Sequence, residues 1–263
     1  MSDRYFPQLS TGALMQFPSE KTTSQRTVIN RAPGDALVKM ADPESAYRKW
    51  DLRYSGLSDV EVGRLRDLFL ECEGRLRSFA MIDPCANLLL WSEELTNDVW
   101  QTSMGVTGSV SDPYDGEGAF RLTNGAQASA AVSQSVDIPA WYRYTFSVWA
   151  RSQSAASVKL RLASSDGQIA AEAAIGSDWQ RLQVSGAIEG DSGSLRCEIF
   201  IPGGTAVDVF GPQLEAQSDA SSYRETKSEK GVCIARFDQD EFACTSHGPD
   251  DHAVMVRVRT VRE

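Results

Sequence analysis

The feature that most constrains this fold is an alternation of apolar and polar residues that recurs between residues 142 and 201. In the stretch YRYTFSVWAR the apolar residues occupy every second position, and the stretches SVKLRLA and SLRCEIFI repeat the pattern. Successive side chains of a β-strand point to opposite faces, so each stretch predicts a strand with one buried and one solvent-facing side. In the last of these strands, Arg196, Glu198 and Phe200 are predicted to face solvent. The predicted buried residues are Tyr142, Tyr144, Phe146, Val148, Ala150, Val158, Leu160, Leu162, Leu195, Cys197, Ile199 and Ile201.

Clusters of turn-forming residues separate these strands. Glycine, serine, aspartate and proline concentrate at 111–118, 164–167, 189–194 and 202–205. Several short strands at this spacing, each with one apolar side, are typical of a sandwich of two antiparallel sheets. We therefore predict a jelly-roll β-sandwich over residues 87–227.

The preceding segment contains the one clear helix signal, in the stretch LSDVEVGRLRDLFLECEG. Ser58 and Glu61 have the spacing of a capping box, and Gly74 suits the left-handed position after the last turn. The sequence thus predicts a single helix over about 58–73, flanked by segments that alternate as strands do. Its apolar face is formed by Val62, Leu65, Leu68, Phe69 and Cys72.

The C-terminal segment contains two more strand candidates, around 232–237 and 253–260. Two strands do not make a stable domain by themselves, so these strands need another sheet to join. We predict that residues 1–86 and 228–263 form a small β platform domain with one helix. The chain is then mainly β, with the jelly roll inserted into the platform.

Composition excludes several classes of protein. A net charge of −10 and a pI near 4.8 argue against nucleic-acid binding, which needs clustered lysine and arginine. No apolar run approaches the roughly 20 residues that span a bilayer, and the first residues lack the apolar core of a signal peptide. We therefore expect no membrane insertion, and synthesis in a cytoplasm. The five scattered cysteines do not describe a disulfide framework.

The first 89 residues contain a series of motifs in a distinctive order. The series is Trp50-Asp51-Leu52-Arg53-Tyr54, then Leu57-Ser58-Asp59 and Glu61, the helix, Gly74-Arg75, and Phe79, Asp83-Pro84 and Asn87-Leu88-Leu89. This order resembles the amino-terminal unit of tail-tip proteins, the distal tail or minor tail proteins of long-tailed bacteriophages and prophage particles. The resemblance implies a ring or adaptor at the end of the tail tube, built from copies of this chain. It also implies tail tube, tape measure and hub proteins as neighbours, and a location at the virion tail tip or baseplate after assembly in the host bacterial cytoplasm.

A second series of motifs lies in the predicted sandwich. It comprises Asn87-Leu88-Leu89-Leu90-Trp91-Ser92-Glu93, Trp100, YTFSVWARS, and Gly211-Pro212-Gln213-Leu214-Glu215 with Tyr223. This series is similar to the jelly-roll carbohydrate-binding modules that decorate phage tail proteins. The resemblance implies a domain displayed outward that contacts a bacterial surface polysaccharide during host adsorption. Within the series, we expect Gln213 and Glu215 to bind backbone groups near the closing strand.

The outward side chains of the sandwich supply candidate sugar-binding residues. Aromatic rings stack on the apolar C–H faces of sugars, while charged side chains bind the hydroxyl groups. On this basis we predict Trp149 as the stacking residue, with Arg151, Arg161 and Asp208 as hydrogen-bonding partners. The alternatives are that a neighbouring domain covers Trp149, or that the domain is a spacer or a docking site.

The sequence contains candidate ligands for two kinds of metal site, although we expect no cofactor. Cys233, Cys244, His247 and His252 carry zinc-type ligands, but their spacing is not that of a standard zinc motif. The resemblance to carbohydrate-binding modules implies a structural calcium as the alternative, with Glu93 and Asp208 as ligand candidates.

The sequence contains no recognisable catalytic motif. It contains no G-x-S-x-G elbow, phosphate-binding P-loop or H-E-x-x-H motif. A glycosidase needs two facing carboxylates, but 36 acidic residues guarantee such pairs by chance. We therefore predict a non-enzymatic tail-tip protein. A stand-alone carbohydrate-binding or adhesin-like module is the alternative function, and a glycan hydrolase is a third.

Overall fold

A computed structural model describes residues 4–33 and 35–261 of the chain. The chain divides into two compact units. The first, here called the platform, lies within 1–10, 14–82 and 233–263. The second, here called the sandwich, contains residues 11–13 and 83–232.

The described residues form sixteen strands and one helix. No helix among them is long and apolar enough to cross a membrane. In chain order the elements are β1 (Glu20–Arg31), β2 (Leu37–Leu57), α1 (Asp59–Glu71), β3 (Phe79–Ile82), β4 (Gln101–Thr102), β5 (Gly105–Val110), β6 (Ala119–Asn124), β7 (Ala130–Val136), β8 (Tyr144–Arg151), β9 (Ala156–Ala163), β10 (Gln168–Ile175), β11 (Gln180–Gly186), β12 (Leu195–Ile201), β13 (Thr205–Glu215), β14 (Val232–Phe237), β15 (Cys244–Gly248) and β16 (Asp251–Thr260).

The platform is built on a six-stranded sheet that joins both ends of the chain. Its order is β1-β2-β16-β14-β3, and β15 pairs with β16. The C-terminal strand β16 runs antiparallel to β2, with Val258 opposite Trp50 and Val254 opposite Tyr54. The predicted fold class is therefore confirmed: a mainly β chain whose one-helix platform is interrupted by an antiparallel sandwich.

The core of the platform contains a cluster of aromatic rings. The ring of Phe237 on β14 lies 4.9 Å from that of Phe79 on β3 and 5.2 Å from that of Phe69 on α1, measured between centroids. Phe6 packs against Phe79, and Phe242 packs against Phe69. Rings at these distances and tilts stabilise each other beyond the area they bury, so one cluster holds the helix on the sheet.

Helix α1 begins with the predicted capping box. The Ser58 side chain accepts from the backbone N–H of Glu61, and the Glu61 carboxylate accepts from the backbone N–H of Ser58 at 2.9 Å. Its other oxygen accepts from the backbone N–H and hydroxyl of Ser10, at 2.9 and 2.7 Å. Burial acts to raise the Glu61 pKa, but these hydrogen bonds outweigh it and lower the pKa to about 2.

The end of α1 differs in detail from the prediction. The helix stops at Glu71, and Glu73, rather than Gly74, occupies the first left-handed position, with φ of 51°. Gly74 follows with φ of 64°, and its N–H donates to the carbonyl of Phe69 while that of Glu73 donates to Leu70. These two bonds form a Schellman motif, in which Glu73 takes the C′ position predicted for Gly74 and Gly74 takes the C″ position. The motif satisfies the carbonyls of Phe69 and Leu70 in the last turn.

The sandwich consists of two five-stranded antiparallel sheets. Sheet I has the order β10-β9-β12-β7-β4, and sheet II has the order β11-β8-β13-β6-β5. The chain crosses repeatedly between the sheets, as in a jelly roll. All twelve residues predicted to be buried from the alternation lie in the core. The predicted solvent exposure of the other side is wrong at several positions. Thr145 and Ser147 on β8 are 0% exposed. Glu198 is only 4% exposed, because two arginine side chains cover it.

The first and last segments of the sandwich are joined by one buried side chain. The Asn87 amide oxygen accepts from the N–H of Leu89 and of Leu214, at 3.1 and 3.0 Å. Its nitrogen donates to the carbonyls of Pro212 and Arg224. These four hydrogen bonds attach the start of the sandwich to its closing strand β13.

Candidate functional site

The four predicted sugar-binding residues lie on two different sheets. Trp149 and Arg151 are on β8 and Asp208 is on β13, all in sheet II, whereas Arg161 is on β9 in sheet I. All four side chains point away from the core. The structure therefore brings the first three together and places Arg161 on the opposite outer face of the sandwich.

Asp208 forms ion pairs with two arginines of the same sheet, Arg121 and Arg151. The residue is 2% exposed, and its carboxylate accepts from Arg121 Nε at 2.7 Å, Arg121 Nη2 at 3.1 Å and Arg151 Nε at 3.1 Å. Hydrogen bonding to Asp208 raises the pKa of Arg121. The Arg151 guanidinium also lies 4.6 Å from the ring centroid of Trp179 and donates to the carbonyl of Ser111. Both predicted polar residues on this face are thus occupied by other protein groups.

Trp149 is half-buried beneath a neighbouring tyrosine. The Tyr114 ring meets it edge-on at a centroid distance of 6.3 Å, and also meets Phe210 at 5.9 Å. The loop that carries Tyr114 is held by Asp112, whose carboxylate accepts from the N–H groups of Tyr114, Gly116 and Gly118. Burial acts to raise the Asp112 pKa, but the three N–H donors outweigh it and lower the pKa.

The rest of the sheet II face is covered by the segment that follows β13. Hydroxyls of Thr145 and Ser185 donate to the carbonyls of Gln217 and Ser218, each at 2.9 Å. Further along the same segment, Gln183 donates to Asp219 and Arg181 donates to the carbonyl of Ser221. The sandwich thus uses most polar groups of this face to bind its own chain.

The opposite face, on sheet I, has several polar side chains that are at least partly exposed to solvent. We call the outward side chains of Ser133, Lys159, Arg161, Arg196, Glu198 and Phe200 the sheet I face. They form three rows across β9, β12 and β7: Ala163-Arg196-Ser135, Arg161-Glu198-Ser133 and Lys159-Phe200-Ala131. The outer rows end in alanine or serine, and β10 adds Ala170 and Ala174 at its own edge. These small residues flank the larger side chains, of which Arg196 is exposed, Arg161 and Phe200 are half-buried and Glu198 is buried.

Glu198 organises the centre of the sheet I face. One carboxylate oxygen accepts from Arg161 Nε, and the other lies 3.6 Å from Arg196 Nε. Arg161 also donates from Nη1 to Gln168 at 3.0 Å, and its guanidinium lies 4.5 Å from the ring centroid of Phe200. Lys159 Nζ approaches the same ring at 5.8 Å. A buried carboxylate, two arginines and an aromatic ring therefore meet on one surface.

An open cavity of about 300 Å³ lies beside this group. It is lined by Arg161, Arg196 and Glu198, together with the turn 163–168 between β9 and β10. Its volume lies at the lower end of the range typical of small-molecule sites, roughly 300–1,000 Å³.

The predicted metal ligands do not assemble into a site. His252 pairs through Nε2 with Asp59 at 2.6 Å and through Nδ1 with Ser246 at 2.9 Å, and the Cys233 thiol contacts the carbonyl of Met81. Throughout residues 4–33 and 35–261, no group of three or more His, Cys, Asp or Glu residues could hold an ion. The calcium candidates fit poorly, because arginines occupy both oxygens of Asp208. Burial raises the pKa of Glu93, the second candidate.

Comparisons with known proteins give structural similarities only. No protein-family profile matches this chain, and no curated protein sequence matches it either. A structure titled TmCBM61 in complex with β-1,4-galactotriose is 17% identical, with a TM-score of 0.40 over 49% of this chain and 97% of that one. A CBM22-1 xylan-binding domain from Paenibacillus barcinonensis is 18% identical, with a TM-score of 0.42 over 52% of this chain and 97% of that one. The enzymatically active domain of tailspike protein 4 from bacteriophage CBA120 is 12% identical, with a TM-score of 0.40, and the similarity covers 51% of this chain but 22% of that one.

Proposed function

We propose that this protein is a structural component of a phage-type tail tip whose sandwich binds host surface glycans through the sheet I face. The observation that carries the glycan-binding role is the group formed by Arg161, Arg196 and Phe200 around the buried carboxylate of Glu198, beside an open cavity. The sheet II face also carries a buried carboxylate between two arginines, Asp208 with Arg121 and Arg151, but Tyr114 and the segment that follows β13 cover other parts of that face. Of the four residues predicted from sequence, Arg161 belongs to the proposed site.

The chemistry of the sheet I face suits a sugar. Arginine N–H groups that Glu198 leaves unused can donate to hydroxyl or ring oxygens of a ligand. The Phe200 ring and the Arg161 guanidinium stacked on it provide flat surfaces for the C–H side of a pyranose. Glu198 fixes both arginines, so few side-chain rotamers need to be frozen when a ligand binds.

The platform has a feature that supports assembly with other subunits. Beyond a bulge at residues 24–26, the β1–β2 hairpin exposes four large apolar side chains, each 47–57% accessible. The register places two on each face of the ribbon, and β1 is an edge strand of the sheet. Contiguous exposed apolar surface and a long free strand edge are features of protein interfaces. The four residues are Ile29, Leu37, Val38 and Met40.

The charge distribution fits the same division of roles. The sandwich segment contains 19 acidic and 10 basic residues, whereas the platform segments contain 17 and 16. A nearly neutral platform can pack against its own copies without strong repulsion, while an acidic domain stays solvated. We propose a ring of copies at the tail tip, in contact with tail tube, tape measure or hub proteins and assembled in the host cytoplasm. In such a ring, several weak glycan sites act together through effective concentration.

Affinity electrophoresis of the full-length chain in gels that contain bacterial surface polysaccharides tests the glycan-binding role. Retardation of the parent chain by at least one polysaccharide is expected. Arg161→Ala and Phe200→Ala should abolish it, while Arg53→Ala, which removes an exposed charge from the platform, should not. Release of reducing ends from the same polysaccharides, when they are incubated with the chain in solution, would favour the hydrolase alternative instead. A parent chain that no polysaccharide retards, or retention unchanged by both sheet I variants, would overturn the proposal.

A further inference from the structure

We infer that the sheet I face selects acidic glycans, in which a sugar carboxylate of the uronate type binds between Arg161 and Arg196. This inference rests on the proposed glycan-binding function and names its ligand class. It is carried by an imbalance between hydrogen-bond donors and acceptors on that face.

Donors remain available after all the internal contacts are formed. Each guanidinium has five N–H groups and accepts no hydrogen bond. Arg161 uses Nε for Glu198 and Nη1 for Gln168, which leaves Nη2. Arg196, whose side chain is 48% exposed, makes one ion-pair contact through Nε at 3.6 Å. Lys159 contributes an ammonium group above the ring of Phe200.

The carboxylates on the same face already accept hydrogen bonds or ion pairs from the protein, although each has further lone pairs. Both oxygens of Glu198 face the two arginines, and the residue is almost completely buried. Glu172, opposite Lys159, accepts from the Ser157 hydroxyl. In the adjoining turn, Asp166 accepts from the N–H of Ser192 at 2.8 Å and from the Ser165 hydroxyl at 3.1 Å. A ligand between Arg161 and Arg196 therefore meets mainly N–H groups, while the exposed carboxylates of Glu172 and Asp166 lie at the margin of the face.

This imbalance distinguishes neutral sugars from acidic ones. A sugar hydroxyl carries a proton as well as lone pairs, and on a donor-rich surface that proton binds water rather than the protein. A carboxylate only accepts, and arginine binds it through short, charge-assisted hydrogen bonds that are frequently bidentate. Replacement of a neutral hexose by its uronic acid thus replaces a hydroxyl, whose proton the protein does not accept, with a carboxylate that forms an ion pair with arginine.

Distant acidic residues of the sandwich oppose this selectivity weakly, whereas Glu198, which both arginines contact, and Asp166, which lines the same cavity, oppose it at short range. Charges beyond about 8–10 Å are largely screened at physiological ionic strength. The contacts of a bound carboxylate with Arg161 and Arg196 are shorter than this distance. The contact pairs therefore decide affinity, while the acidic surroundings keep non-specific binding of polyanions weak.

The test uses the full-length chain with three uronate polymers of different linkage, each compared with its carboxyl-reduced form. Reduction turns the carboxylate into a primary alcohol and leaves the linkages unchanged. We expect at least one acidic polymer to bind about tenfold or more tightly than its reduced form, as one charge-assisted contact implies. Arg196→Ala should remove most of that difference while Arg53→Ala preserves it, because Arg196→Ala leaves the Arg161–Glu198 pair in place. Equal binding of acidic and reduced forms would overturn the inference and leave the glycan-binding role intact. Binding of the reduced forms or other neutral glycans alone would do the same, whereas binding of no glycan would overturn both.

Discussion

Replacement of Glu61 by glutamine should remove most of the acid sensitivity of the platform helix. The Glu61 carboxylate accepts four hydrogen bonds from Ser58 and Ser10, and its pKa falls from 4.5 to about 2. A folded-state pKa below the unfolded one contributes stability that is complete above the unfolded pKa. That contribution is lost as the pH falls from about 4.5 towards 2.

The size of the effect follows from the same values. The difference between 4.5 and about 2 corresponds to ~3 kcal/mol, at ~1.4 kcal/mol per pH unit. Water reaches the edge of the carboxylate, so we expect ~2 kcal/mol of this to contribute to stability. Glutamine can keep the capping-box geometry but carries no charge. Glu61→Gln should therefore destabilise the helix by ~2 kcal/mol at pH 7 and by much less at pH 2.5.

Hydrogen exchange followed by mass spectrometry measures this locally. Protection factors of α1 peptides, corrected for the intrinsic exchange rate at each pH, report the opening free energy of the platform without interference from the sandwich. Glu71→Gln is the matched control, since Glu71 lies in the same helix, is 61% exposed and pairs with Arg4 at 3.5 Å. Its effect should stay within about 0.5 kcal/mol at both pH values. If the Glu61 variant loses as much protection on acidification as the parent, another group is responsible for the acid sensitivity.

Two further predictions concern the sandwich and the hairpin. Asn87→Ala removes four buried hydrogen bonds, two of them to backbone N–H groups that lose their acceptor. It should lower the unfolding free energy of the sandwich by ~2–4 kcal/mol in urea titration, whereas a loss below ~1 kcal/mol would mean that water replaces the side chain. Ile29→Asp combined with Met40→Asp places a charge on each face of the hairpin and should abolish self-association in sedimentation velocity, with the circular dichroism unchanged. Persistent oligomers of the double variant would exclude the hairpin as the interface.

The sequence could predict elements whose signals are local. The capping box of α1 depends on residues three apart, and the buried positions of β8, β9 and β12 follow from a period of two. Both patterns predict the structure reliably because they depend only on residues close together in the sequence. The predicted backbone bonds of Gln213 and Glu215 also form, and they pair with the N–H groups of Arg224 and Ser221.

The candidate site could not be assembled from the same signals. Alternation shows which side of a strand faces outward, but it does not show which sheet the strand joins. Trp149 and Arg161 have equivalent outward positions in their own strands and nevertheless lie on opposite faces of the sandwich. The burial of Glu198 could not be predicted from the sequence for a related reason. It depends on Arg161 in the neighbouring strand, 37 residues away in sequence, and that register emerges only when β9 and β12 pair.

The motifs that open and close the sandwich now have a physical explanation. The stretch that begins at Asn87 and the stretch Gly211-Pro212-Gln213-Leu214-Glu215 are adjacent in the fold, because the Asn87 amide satisfies backbone groups of both. Gly211 adopts a left-handed φ of 59°, and a Cβ there would lie 2.8 Å from the Tyr223 ring, so this position requires glycine. Since these bonds lie within the sandwich, the domain closes on itself through its own residues. Such closure allows an inserted domain to vary its outer face, including the proposed glycan site, without changing the sheet that carries it.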